Sequence, residues 1–208
     1  MNPVGSVLSK DELDRIADIC NANNVTLCSD EIHCDLILEE GKTHIPAGRE
    51  ANLAENSVTL MAASKTFNIA GSGTSFAIIP NRQLRQAFTN EAAGIVPWVT
   101  VLGLAATEAA FTQCDDWHQQ QLTYLRENRD MVFNTINSID GLRMLKADAT
   151  FLAWVDASGL GVENVQQWAE EKGVGPSPGI DFHKADHFRI NFGCSKGMLQ
   201  DILQRLAS

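Results

Sequence analysis

Residues Ser57–Ser75, SVTLMAASKTFNIAGSGTS, constrain this chain more than any other stretch. Val58 to Ala63 is a β-prone apolar run of buried-strand length. Ser64 and Lys65 follow it directly, and a loop punctuated by Gly71 and Gly73 comes next. A lysine at the exit of a buried strand has to be desolvated, paired or turned out to solvent. Desolvation disfavours the ammonium form and makes the amine a better nucleophile. An amine of that kind suits imine formation with a carbonyl cofactor.

The flanking pattern alternates strands with helices. Ser9-Lys10-Asp11-Glu12 is a capping box, and Leu13, Ile16, Ala17 and Cys20 follow at helical spacing until Asn23-Asn24. Val25–Ser29 reads as a short strand, with Asp30-Glu31-Ile32-His33 at its carboxyl end. Residues 39–56 are polar and read as a surface excursion. Thr74–Ile79 reads as a strand, Gln83–Asn90 and Val99–Phe111 as helices, and Asp115–Ile136 as a long amphipathic helix. Beyond Gly141 the units shorten. Leu142–Leu145, Phe151–Val155 and Phe188–Phe192 read as strands, Val162–Glu171 and Ser195–Leu206 as helices.

This order predicts an α/β layer over residues 1–115 and a smaller α+β unit over 116–208. A largely parallel sheet is expected, with ligands at the carboxyl ends of its strands. Asp30 and Lys65 both occupy such ends and carry opposite charges.

Composition excludes some function classes. A net charge of −10 with no Lys/Arg-rich block argues against nucleic acid. No apolar run approaches a membrane span. The five cysteines show no CxxC spacing, which points to reduced thiols and a cytoplasmic setting. His183 and His187 have no metal-ligand company at their spacing, so no metal site is expected. The four tryptophans are expected in the core, and Glu108 on a solvated face or paired as an acid.

Three segments together, Asn2-Pro3-Val4-Gly5, Ser29-Asp30-Glu31-Ile32-His33 and Ser64-Lys65-Thr66-Phe67-Asn68-Ile69-Ala70-Gly71, resemble the pyridoxal-phosphate enzymes of fold type I. DEIH, SKTFN-xAG and the ending Phe188–Cys194 are similar to the MalY/PatB-like cystathionine β-lyases within the class I/II aminotransferase superfamily. The resemblance runs from Met1 to the C-terminus.

It implies part of a three-layer large domain followed by a small α+β domain, with pyridoxal 5'-phosphate as cofactor. It implies that Lys65 holds the cofactor covalently and serves as the base for the substrate's α-proton. Asp30 would pair with the ring nitrogen, Asn2 would donate to the phenolate oxygen with His33 assisting, and Ser64 would reach the phosphate. Arg189 would grip the substrate carboxylate. Read without the resemblance, Asp30 also suits an N-cap, His33 a buried hydrogen-bonded histidine, and Arg189 a surface cation.

The implied reaction is carbon–sulfur β-elimination from cystathionine or a cysteine conjugate. Transamination of an amino acid is the alternative within enzymes, and a non-catalytic regulatory module on the same scaffold the alternative outside them. Full-length members of the family act as homodimers on small amino-acid substrates and are about twice this length, so the resemblance implies that the chain alone is an inactive fragment with an incomplete site. One departure stands inside the chain. Relatives often carry an Arg or Lys soon after the lysine, whereas Thr66–Asn81 has no basic residue and Gly73 stands near that place.

Overall fold

The computed structural model describes residues 1–49 and 51–208. The chain divides into two compact units, one of residues 8–35 and 43–119, the other of residues 1–7, 36–42 and 120–208.

The first of these opens with α1 (Lys10–Ala22), whose capping box is fully formed: Ser9 Oγ accepts from the Glu12 amide, and Glu12 accepts in return from the Ser9 amide. Leu13, Ala17 and Cys20 form its buried stripe. β1 (Leu27–Asp30) follows, then a short α2 (Ala51–Ala54), β2 (Ser57–Met61) and β3 (Phe76–Ile78). The sheet order is β1-β2-β3, with β1 and β2 parallel and β2 and β3 antiparallel. The expectation of a largely parallel sheet therefore holds for one pairing only. The connection from β2 to β3 carries a single 3₁₀ turn at Ala70–Ser72 rather than the crossover helix that a parallel return usually needs.

α3 (Arg82–Ala92) is capped by Asn81, which accepts from the Gln83 and Leu84 amides. α4 (Val101–Gln113) is capped by Thr100. α4 is rich in apolar residues, yet Val101 and Leu102 are each 82% exposed. Trp98, just before it, is 98% exposed, and Trp117 is also exposed. Neither tryptophan is a core residue as the sequence suggested.

α5 (Asp115–Ile136) matches its expected bounds and runs from this unit into the other. There β4 (Leu152–Asp156), α6 (Val165–Glu171), β5 (Ser177–Pro178), β6 (His187–Asn191) and α7 (Lys196–Ala207) complete the chain. The sheet order is β4-β6-β5, antiparallel throughout. The stretch Leu142–Leu145 is not a strand. Only Arg143 bridges, exchanging backbone hydrogen bonds of 2.8 Å with Asp156. Val132, Ile136, Leu142, Val155, Phe188, Phe192 and Leu199 lie at the centre of this unit's core, each fully buried. Residues 1–7 and 36–42 run alongside 147–150, where Ala149 donates to Gly5 O and Thr150 to Leu36 O. Gly5 has φ +71°, and a Cβ there would lie 2.7 Å from that of Ala147, so only glycine fits.

None of the helices among the described residues is long and apolar enough to cross a membrane. The five cysteines are all free thiols.

Candidate active site

β1 and β2 run parallel with Asp30 opposite Leu60, so both strands deliver their carboxyl ends to the same edge of the sheet. Asp30 is the last residue of β1 and is exposed. Its Oδ1 accepts from the Ile32 amide at 3.2 Å, a local turn that aims the carboxylate without neutralising it.

β2 ends at Met61. Ala62 and Ala63 continue into the interior, and Ser64 and Lys65 follow in a turn, both partly buried. That turn is held by Phe67 N–H to Ala63 O (2.9 Å) and Ile69 N–H to Ser64 O (3.1 Å). The Phe67 ring anchors it among Phe111, Trp117 and His118, at centroid distances of 5.8, 6.1 and 5.6 Å. Among the described residues the Lys65 ammonium has no ion-pair or hydrogen-bond partner. A half-buried amine left unpaired is available for covalent chemistry. The neighbouring Thr66 hydroxyl is fully buried and likewise has no partner among the described residues. Gly73 adopts φ +60° as the cap of the 3₁₀ turn, a conformation that a basic side chain there would strain. His33 lies partly buried in the turn that follows Asp30.

One feature of this rim carries no signal in local sequence. Strand alternation puts Ser29 and Glu31 on the covered side of β1 and Cys28 and Asp30 on the exposed side. Glu31 is 5% exposed. Its carboxylate receives Ser29 Oγ at 3.0 Å, the Ala47 amide at 2.9 Å and His44 Nε2 at 2.6 Å. Burial opposes its charge, but the hydrogen bonds from His44, Ala47 and Ser29 outweigh that and hold its pKa below the ordinary glutamate value. Part of the polar stretch read as a surface excursion, residues 43–49, is therefore docked. Gly48 sits where a Cβ would lie 2.9 Å from Ser57 Oγ. Burial and the nearby Asp35 push the Cys34 thiol up to about 12, so it stays protonated and is no nucleophile.

Asn2 and Arg189 belong to the other unit. Arg189, partly buried on β6, donates from Nη1 to Asn2 Oδ1 (2.9 Å) and from Nη2 to Ser177 Oγ (3.1 Å). This fixes the Asn2 amide with Nδ2 as its remaining donor. The guanidinium lies 4.8 Å from the Phe182 ring, and Trp154, opposite Arg189 in the β4–β6 register, packs edge-on against Phe182 at 5.4 Å. A cavity of about 290 Å³ opens beside Arg189, Ser177 and Asn191. Trp154 thus belongs to the setting of Arg189 and not to the core. The alternation of β4 and β6 was a usable signal for this, once their pairing was known.

The expectation that His187 lacks ligand company is corrected. The register sets Asp156 opposite His187, and Asp186 Oδ1 lies 2.7 Å from His187 Nδ1, so three groups of ligand type gather within 4.8 Å. All three are partly exposed.

The sequence profile of the class I and II aminotransferases matches residues 1–206. The chain belongs to that family. Within it, the chain is similar to cystathionine β-lyase PatB of Bacillus subtilis, at 35% identity over 99% of this chain and 55% of PatB. Among solved structures it is similar to OvoB, with a TM-score of 0.96 at 45% identity over 99% of this chain and 54% of OvoB. Cystalysin of Treponema denticola, which contains pyridoxal 5'-phosphate, gives a TM-score of 0.91 at 32% identity over 99% of this chain and 54% of cystalysin. The chain spans about half the length of the relatives it matches. These likenesses bear out the fold expected from the sequence, the fold of the class I/II aminotransferases and carbon–sulfur lyases.

Proposed function

We propose that this class I/II aminotransferase-family chain carries residues of a pyridoxal-phosphate-dependent carbon–sulfur β-lyase. The observation that carries the reading is the shared carboxyl edge of β1 and β2, with Asp30 on one strand end and Lys65 just beyond the other, neither paired with an opposite charge among the described residues. The similarity to PatB and cystalysin supports the same reading.

When bound, pyridoxal phosphate supplies an electron sink for negative charge at the amino acid's Cα. The chain's own residues do the rest. Lys65 Nζ would hold the cofactor and, when free, would take the α-proton. The Asp30 carboxylate would favour a protonated ring nitrogen on a bound cofactor through its negative charge. Arg189 would offer a planar guanidinium to the substrate carboxylate, and Asn2 Nδ2 would donate to the phenolate oxygen, with His33 as a second donor. Ser64 offers its hydroxyl to phosphate. In this reading residues 1–115 are the cofactor-bearing part and 116–208 the smaller domain, except that residues 1–7 and 36–42 pack with the latter unit. A homodimer is the accompanying assembly, supported by the exposed apolar run of Ile95, Val96, Trp98, Val101 and Leu102.

β-Elimination from cystathionine consumes water and yields homocysteine, pyruvate and ammonia. Incubating a full-length relative with pyridoxal phosphate and cystathionine should release thiol without any added keto acid. Turnover that requires a keto acid and releases no thiol would instead make it an aminotransferase.

A further inference from the structure

We infer that Glu31 is a positioning residue for Asp30, locking the carboxyl end of β1 through His44 and the Ala47 amide so that Asp30 faces the cofactor's ring nitrogen. The inference rests on the reading of Asp30 given above and adds to it a residue that never touches the cofactor.

The geometry carries it. Asp30 is the final strand residue, and an exposed strand end frays unless something beyond it is tied down. Glu31 supplies three ties at once. Its amide donates to Leu60 O at 2.9 Å, extending the β1–β2 ladder by one step past Asp30. Its carboxylate binds Ser29 on its own strand at 3.0 Å. It also reaches the 43–47 segment through His44 at 2.6 Å and the Ala47 amide at 2.9 Å. Since side chains alternate, fixing residues 29 and 31 on the covered face leaves the side chain of residue 30 only the opposite face. A buried carboxylate is a costly way to fill space, because removing its partners or its charge leaves desolvated polar groups behind. An apolar residue would fill the gap, but it could not hold the Ala47 amide, His44 and Ser29 together.

The test separates positioning from general support by using two cofactors. Pyridoxal phosphate has the ring nitrogen that Asp30 meets; deazapyridoxal phosphate has carbon in its place. Binding of each to the whole chain and to Glu31→Ala is followed by absorbance, with circular dichroism as the check on folding. Positioning predicts that Glu31→Ala weakens pyridoxal phosphate about tenfold and the deaza compound less than about threefold. In an Asp30→Asn background the Glu31 change should add little for either compound. Equal weakening of both compounds, or of neither, overturns the inference and leaves the cofactor reading standing. If the unaltered chain binds neither compound, the cofactor reading falls and takes this one with it. Should Glu31→Ala fail to fold, Glu31→Gln, which keeps an acceptor for Ala47 and Ser29, and His44→Ala carry the same comparison.

Discussion

Asn128 offers a sharp test of how β6, and with it Arg189, is held. It sits fully buried on α5. Its Nδ2 donates to Phe192 O at 2.9 Å and to Cys194 O at 3.1 Å, just past the end of the strand that carries Arg189. Asn128→Asp keeps the side-chain shape and replaces the donor by an acceptor, so no cavity confuses the result. Both hydrogen bonds are lost, at about 1 kcal/mol each. The Cys194 carbonyl keeps the Tyr124 hydroxyl at 3.2 Å, whereas the Phe192 carbonyl loses its side-chain donor, which costs about 1–3 kcal/mol more. The sum is roughly 3–5 kcal/mol at neutral pH, where the carboxyl also faces two carbonyl oxygens. With a urea slope of about 2 kcal/mol/M, the unfolding midpoint followed by tryptophan fluorescence should fall by about 2 M. Repulsion raises the new carboxyl's pKa, so the deficit should shrink in acid, where the protonated group can donate one bond. A midpoint change below about 0.3 M would refute the idea that these two bonds fix the end of β6.

Gly103→Ala tests the seat of α4. The added Cβ would lie 2.1 Å from Thr74 Oγ1 and 2.6 Å from Ser72 O. Overpacking of about 1–3 kcal/mol should exceed the helix-propensity gain of about 1 kcal/mol, and the melting temperature should drop. Acid should release residues 43–49. The folded-state pKa of Glu31 is depressed, so its contribution is present above the ordinary glutamate value and is lost as pH falls through the lower folded value. Urea midpoints measured from pH 6 down to pH 3 should decline less steeply in Glu31→Gln than in the unaltered chain.

The sequence was most legible where structure is local. The capping box at Ser9 and Glu12 fixed the start of α1, and the long apolar stripe of α5 fixed both of its ends. The shared edge of β1 and β2 could be anticipated because a strand's carboxyl end follows from where its apolar run stops. What escaped depends on contacts between distant residues. The return of β3 antiparallel to β2 depends on the path of the loop between them, which hydrophobic periodicity does not encode. Leu142–Leu145 has strand-like composition but finds only one bridging partner, at Asp156. The Glu31–His44 pair spans thirteen residues of chain, and Asp156 meets His187 only through the β4–β6 register. The exposed Trp98 and Leu102 show the reverse case. Apolar composition predicts burial, and here it marks surface instead.

The central claim is that Lys65 and Asp30 together hold pyridoxal phosphate, and titrating the purified chain with the cofactor while recording its visible spectrum tests it most directly. The account predicts a new visible absorption band that is lost in Lys65→Ala and displaced or weakened in Asp30→Asn. A band that survives unchanged in Lys65→Ala, or none in the unaltered chain, would contradict it.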